Sequence, residues 1–497
     1  IVIPIDYEES DVVGFILTAV TPLTIYGGYY SAEIEQINDV NIAICSTTFK
    51  KEKYIKHNVN LLKEKIYETD NELAEHLYMV VVDNGSSLSE NEINGEKIKL
   101  VPNANVGGAG GFTRGMLEVI DLAEKKEYLA THVLFMDDDV EINTESLNRT
   151  YSLLKFLKSE YKDRFISGAM LNLSQHNIQF ENIGFIDEGL ASWRSLKPQF
   201  DLCLYDHVLF NELEYTVNNM YGAWWFCAVP IKFINKENLS LPIFYRTDDI
   251  EFSLRNKAEF ITLNGIGIWH MPFWDKENEA LDYYLSIRNP LVIQATSGVF
   301  PKAEFIKRIE RDFRGEIRKF NYTACEHLLD ALDDFMKGPG FLQSLNGEQK
   351  LKSQCTKNQQ LIPVSNFGFT DEQMNTAYDY VPLSEQDMQL FEETDNGHTL
   401  SDTILDDKNL PFIAQMFFQS PGKQFLKKHI ILTSVPKKSI AILTIDRKKY
   451  AELIKRHDEL FNYYNENKEN IINSYRNQAK NMMSADFWWG YLEGMKK

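Results

Sequence analysis

The sequence predicts an α/β protein built on a mostly parallel sheet with helices on both faces, with further material before and after it. Three observations lead there. From Val40 onward, short apolar runs alternate with stretches of helical spacing, the pattern of strands joined by covering helices. One of these runs, His132–Met136, ends in three consecutive carboxylates, Asp137, Asp138 and Asp139. At 497 residues the chain is also too long for one ordinary core.

Taken in order, residues 1–37 read as strands: Ile1–Ile5, Val12–Val20, and Tyr29–Ile34 after the turn signal Gly27-Gly28. The chain opens at Ile1, without Met and inside a strand-like run, so this stretch is expected to be the end of a β domain that begins upstream. The next expected domain is 38–300. Its elements are a strand at Asn41–Cys45, a helix at Tyr54–Tyr67 and strands at Tyr78–Val82 and Ile98–Val101, then a helix at Thr113–Lys126 and the strand His132–Met136. Ligands of such sheets sit at the carboxyl ends of the strands. The loops of interest are therefore Ser46–Lys51, Asp83–Ser87, Asn103–Gly111 and Asp137–Asp139.

Beyond Phe300 a mainly helical domain is expected over 301–497. Helical spacing covers Lys302–Phe320, Tyr322–Lys337 and Arg447–Met483, and Gly338-Pro339-Gly340 breaks the chain between them. Residues 341–400 read as long loops or short helices, and His429–Val435 with Ser439–Ile445 as a hairpin.

A net charge of −20 argues against a general nucleic-acid binder. Five scattered cysteines without metal spacing suit free thiols in a reducing cytosol. The longest apolar runs, such as Val12–Leu17, are far short of a membrane span, so a cytoplasmic protein with at most peripheral membrane contact is expected.

Several stretches carry candidate chemistry. Asp137 and Asp139 lie two apart on an extended segment, so their side chains share a face. Three anions at the lip of a core strand suit Mg²⁺ or Mn²⁺, although an acidic run before a helix is the plainer alternative. Asn105–Arg114 is a glycine-rich loop running into a helix, where backbone N–H groups attract anions; a tight turn would look the same. Trp224-Trp225 would point opposite ways on a strand, one toward a cleft to stack on a sugar and one into the core, or both could be core. Asp248-Asp249 sit at a helix start, and Asp249 is the kind of group that serves as a base. His270 ends the run Ile268–Met271.

In this order and at these spacings, including the 24-residue step from Trp225 to Asp249, the chain resembles the inverting family-2 glycosyltransferases. It is most similar to the bifunctional galactofuranosyltransferases that polymerise mycobacterial galactan. Their glycine loop, acidic triplet, paired Trp, base motif, and the histidine segment followed by Ser286–Asn289 all have counterparts here, over about residues 40–295.

The resemblance implies a GT-A core using UDP-galactofuranose and a divalent metal. Asp137, Asp139 and His270 would ligate Mn²⁺ or Mg²⁺, and Asp249 would be the catalytic base. Thr48, Phe49, Gly85, Asn105, Gly107, Gly108 and Asp138 would bind the donor. Trp193, Trp224, Trp225 and Asp248 would face the acceptor, a glycan and typically a lipid-linked one. Three positions depart from the pattern: Lys50-Lys51 replace an arginine, Ser286 replaces a histidine, and no acidic residue stands near Gly184-Phe185.

Transfer of another nucleotide sugar such as dTDP-rhamnose would use the same motifs. A paired-carboxylate hydrolase and a non-catalytic carbohydrate-binding protein are the alternatives from other classes. The terminal Phe487–Tyr491 and Lys496-Lys497 fit either peripheral contact with a membrane or docking onto the domain or a neighbouring subunit.

Overall fold

The computed structural model describes residues 4–5, 16–27, 31, 33–34, 36–213, 215–273 and 278–495. Its centre is a seven-stranded sheet. From one edge to the other the strands are Phe260–Ile261, Phe165–Ser167, Cys227–Pro230, His132–Asp137, Ile42–Thr48, Leu77–Asp83 and Ile98–Pro102. Cys227–Pro230 runs antiparallel to both neighbours and every other pairing is parallel.

The two-residue period of a strand explains the layers. In Ile42–Thr48, Ile42 and Ile44 enter one core with Ile55, Val59 and Leu62 of the helix Glu52–Leu62. Ala43 and Cys45 enter the opposite core with Phe112, Met116 and Leu117 of the helix Gly107–Glu124. The sheet is thus covered on both faces, as alternation of apolar runs and helical spacing requires.

A second sheet orders Phe200–Asp201, Gln175–Glu181, Ala169–Asn172, Gly267–His270 and Glu141–Ile142. It leans on the end of the first and carries half of the site.

Three expectations change. Ile16 and Val20 are 94% and 93% exposed, and residues 16–27 form no strand, since none of the described residues pairs with them in a ladder. The remaining parts of the three strands expected before residue 38 lie partly outside the described residues. The glycine-rich stretch is not a loop leading into a helix at Thr113; the helix already begins at Gly107. The C-terminal region holds the long helix Arg447–Met482 and the hairpin His429–Thr433/Ser439–Thr444, but the hairpin belongs to a four-stranded sheet. Its added strands, Ile362–Pro363 and Phe412–Ala414, are too short to show a period.

The last helix, Ala485–Met495, packs back onto the seven-stranded sheet. Trp488 is fully buried in the core that holds Phe112 and Phe135, and its Nε1 donates to Ser240 O at 2.8 Å. Tyr491 Oη donates to Leu345 O at 2.6 Å. Of the two readings of this tail, docking onto the domain is what these contacts describe. Lys496-Lys497 lie outside the described residues. Among the described residues no helix is long and apolar enough to cross a membrane.

Candidate active site

The acidic triplet leaves the sheet at the end of His132–Asp137, whose register sets Asp137 beside Thr47. After the turn, Glu141–Ile142 pairs antiparallel with Gly267–His270, aligning Ile142 with Ile268 and Glu141 with Trp269. This pairing brings His270 to the triplet from far along the chain. His270 Nε2 lies 3.3 Å from Asp139 Oδ1. One ligand atom each from Asp137, Asp139 and His270 lie within 4.8 Å of one another.

Two hard carboxylate oxygens and an imidazole nitrogen at this spacing fit a divalent ion of the Mg²⁺ or Mn²⁺ kind. The electrostatics ask for a cation as well. Burial pushes Asp137 up to about 7. Burial also raises Asp138, against Lys51 and a hydroxyl contact from Thr48. Lys51 Nζ stands 2.7 Å from Asp139 Oδ2 and 3.3 Å from Asp138 Oδ1. Burial opposes its charge, yet the surrounding aspartates outweigh that and hold it above the ordinary lysine range. The lysine that departs from the family pattern therefore lies at the centre of the site.

The other residues that the resemblance assigns to the donor either end or follow three neighbouring strands of the same sheet. Thr48 ends its strand buried, and Lys50 Nζ lies 5.1 Å over the Phe49 ring. Gly85 sits in a turn fixed by Asp83, whose carboxylate accepts from the backbone N–H of Gly85, Ser87 and Leu88 at 2.7–2.9 Å. Asn105 Oδ1 accepts from Gly107 N at 3.2 Å, and Gly107 O accepts from Asn84 Nδ2 at 3.0 Å.

Gly107 has φ +71, and a Cβ there would stand 1.9 Å from Phe244 O, so only glycine fits. A Cβ on Gly108 would lie 3.6 Å from both Asp248 Oδ2 and the Tyr245 ring. Gly108 is where the glycine helix meets the second carboxylate cluster.

That cluster starts with Asp248 and Asp249 in the first turn of the helix Asp248–Arg255. Burial raises Asp249 to about 6, and burial with the neighbouring Asp249 charge raises Asp248 further. Glu181, ending the strand Gln175–Glu181, is pushed up to about 8 by burial and then by Asp249. Sequence reasoning missed Glu181 while looking for an acid nearer Gly184-Phe185. The signal was the strand's alternation, which buries Gln179 and Glu181 on one face.

The chain entering this helix is strained. Phe244, Arg246 and Thr247 have φ of +76, +71 and +68, and none is glycine. The segment Ser286–Asn289 holds it. Arg288 Nη2 donates to Ile243 O at 2.9 Å, and Asn289 Nδ2 donates to Tyr245 O and Arg246 O at 2.8 and 3.0 Å. Arg288 is 1% exposed and Asn289 fully buried, so these bonds are sheltered from water.

The aromatic expectations are corrected. Trp224 and Trp225 lie in a turn before Cys227–Pro230, not on a strand, so strand alternation does not govern them. Both are buried, at 4% and 7% exposure. Trp224 stacks on Phe135 at 4.3 Å in the core on one side of the sheet. Trp225 belongs to the other core, where its Nε1 donates to Gly168 O at 3.0 Å. Trp193 is half-buried, and the Arg308 guanidinium lies 5.4 Å from its ring.

No family model matches the chain. It is similar to the galactofuranosyltransferase GlfT2 of Mycobacterium tuberculosis, 26% identical over 370 residues, covering 68% of this chain and 55% of that protein. The GlfT2 of Mycolicibacterium smegmatis is 24% identical over 362 residues, covering 68% and 54%. The chain thus spans about half the length of the curated relatives it matches. Among solved structures, a mannosyltransferase from Pyrobaculum calidifontis, determined with GDP-Man and Mn²⁺, covers 65% of this chain and 81% of its own, at 13% identity and a TM-score of 0.30. The chain resembles glycosyltransferases along most of its length, and its sequence relatives are galactofuranosyltransferases.

Proposed function

We propose that this chain is a metal-dependent inverting glycosyltransferase that moves galactofuranose from UDP-galactofuranose to a hydroxyl of a glycan acceptor, a lipid-linked one in cell-surface polysaccharide synthesis. The transferase unit is 38–300, and 301–497 buttresses it. The observation that carries this reading is the pair of carboxylate clusters. Asp137, Asp139 and His270 converge at the strand ends. Asp248, beside Asp249 in the first turn of its helix, has its Oδ2 3.6 Å from where a Cβ on Gly108 would stand.

Asp137, Asp139 and His270 would hold Mn²⁺ or Mg²⁺, which supplies Lewis-acid stabilisation of a departing diphosphate. Lys51, ion-paired at the triplet, is placed to meet the same negative charge. Thr48, Phe49, Gly85, Asn105, Gly107, Gly108 and Asp138 line the nucleotide side. Asp249 takes the proton of the acceptor hydroxyl as it attacks the anomeric carbon. Its raised pKa brings it closer to the range in which a general base works near neutrality. One base and no enzyme nucleophile give a single displacement and inversion. Asp248 and Glu181 border the acceptor side.

The test is transfer from UDP-galactofuranose to a galactofuranosyl lipid acceptor, with UDP-galactopyranose and dTDP-rhamnose alongside. Product from UDP-galactofuranose alone, abolished by EDTA and restored by Mn²⁺ or Mg²⁺, is expected. Transfer only from another donor overturns the donor assignment. Metal-independent release of free sugar overturns the reaction class.

A further inference from the structure

We infer that Tyr245 is a substrate-contacting residue that selects the donor sugar, its ring forming the wall between the nucleotide side of the cleft and the Asp248–Asp249 carboxyls. The inference rests on the glycosyltransferase reading and deepens it.

Position comes first. The Tyr245 ring approaches Gly108 of the glycine helix, and Asp248 Oδ2 comes equally close to that glycine. Burial first, and then the Asp137 and Asp248 charges against Arg246 and Lys51, hold its phenol above the ordinary tyrosine range. The ring therefore lies beside the Asp248 carboxylate at the start of the glycine helix. Tyr245 as a residue keeps 41% of its surface exposed.

The backbone is the second observation. Tyr245 sits between two residues in the left-handed region, Phe244 and Arg246. Such a conformation is costly for a side chain with a Cβ and persists only when its surroundings impose it. Here the surroundings do: Gly107 makes room for the Phe244 carbonyl, and Asn289 fixes the Tyr245 carbonyl at 2.8 Å. The chain is bent and clamped at the point where Tyr245 projects.

Chemistry supplies the third. A sugar held near the two clusters needs an apolar face for its C–H groups. Trp224 and Trp225 are occupied in the cores, so neither provides it. Tyr245 does, and it packs into none of the hydrophobic cores.

Isothermal titration calorimetry in Mn²⁺, with UDP, UDP-galactofuranose and UDP-galactopyranose as titrants, tests this on the full chain and on Tyr245→Ala and Tyr245→Phe. UDP affinity is expected to stay within about twofold in both variants. UDP-galactofuranose affinity is expected to fall about tenfold or more in the alanine variant, to hold in the phenylalanine variant, and the discrimination between the two sugars to collapse only with alanine. Tyr245→Leu replaces alanine if the melting temperature drops. Equal loss of UDP and UDP-sugar, or unchanged discrimination, overturns the inference and leaves the transferase reading standing. A parent protein that binds neither UDP nor any UDP-sugar overturns both.

Discussion

The two carboxylate clusters are made in different ways. Asp137, Asp139 and His270 are delivered by strand ends, and the pairing of Glu141–Ile142 with Gly267–His270 sets their distance. Asp248 and Asp249 are delivered by a turn with three non-glycine residues at positive φ, held by Arg288 and Asn289 from a later helix. Sheet register is shared among many backbone hydrogen bonds, so the first cluster tolerates the loss of one contact. The second depends on a few side-chain bonds. The contrast suits the proposed roles: a metal needs fixed ligands, whereas a base has to meet a hydroxyl arriving with a second substrate.

The largest expected effect separates the two clusters outright. Asp249→Asn keeps shape and hydrogen bonding but cannot take a proton. Turnover should fall by about 10²–10⁴, the usual worth of a general base, with Mn²⁺ and donor binding nearly unchanged. Asp139→Ala should instead remove Mn²⁺ binding, measured by titration without any acceptor. An Asp249→Asn protein with near-normal turnover moves the base elsewhere.

Next in size is a change that should weaken the scaffold and spare the contrast. Trp488 is fully buried, and its ring lies 3.2 Å from where a Cβ on Gly110 would stand. Trp488→Ala leaves a cavity under the glycine helix and should cost about 3–5 kcal/mol in chemical denaturation. Residual turnover per folded molecule should be largely kept. Deleting residues 486–497 should likewise lower stability without changing co-sedimentation with anionic vesicles. Loss of vesicle binding at unchanged stability would restore a membrane role to the tail.

A smaller effect probes the clamp. Asn289→Ala removes the bonds to Tyr245 O and Arg246 O and frees the strained turn. The activation free energy should rise by about 1–3 kcal/mol, since two part-buried carbonyls lose their donor. Thr247→Gly relieves the left-handed strain at the helix cap. It should restore much of the loss in the Asn289→Ala background and do little alone. Additive effects would mean that strain and clamp are not linked.

The same contrast explains what could be read from the sequence. The acidic triplet was legible because His132–Met136 is an unbroken apolar run, and a core strand announces its own end. Its meeting with His270 followed from the family resemblance, since no local pattern encodes the pairing of Glu141 with Trp269. The long helix Arg447–Met482 was legible from its period. Trp224 and Trp225 were left between cleft and core because alternation was applied to a turn, where burial depends on which core each ring reaches. Glu181 and Tyr245 were invisible for a related reason. One is an acid on a short strand and the other a tyrosine between strained residues, and neither acquires meaning until the Asp248–Asp249 turn folds beside it. The glycine stretch stood open between an anion-binding turn and a plain tight turn, and at Gly107 the Phe244 carbonyl is what requires glycine.

The smallest effect is in pH, and it distinguishes the clusters by their protons. Burial raises Asp137 to about 7 and Asp249 to about 6, so each carboxyl holds its proton to a higher pH than a free aspartate. For both, the ionised form is the working form, and activity is lost as pH falls through the raised value. Asp137 must lose its proton to take a metal, so apparent Mn²⁺ affinity should fall below about pH 7. Saturating Mn²⁺ pulls that equilibrium over and removes this limb. The Asp249 limb is not relieved by metal, so at saturating Mn²⁺ the rate should still decline below about pH 6, close to tenfold per unit. Asp248 and Asp249 are adjacent, so that limb belongs to the pair. Rate profiles from pH 5 to 8.5 at limiting and at saturating Mn²⁺ should therefore show an acid limb that moves down by about one unit as metal is added. A limb that stays put would mean that a single group governs both clusters, and the division drawn between strand-borne ligands and turn-borne base would fail.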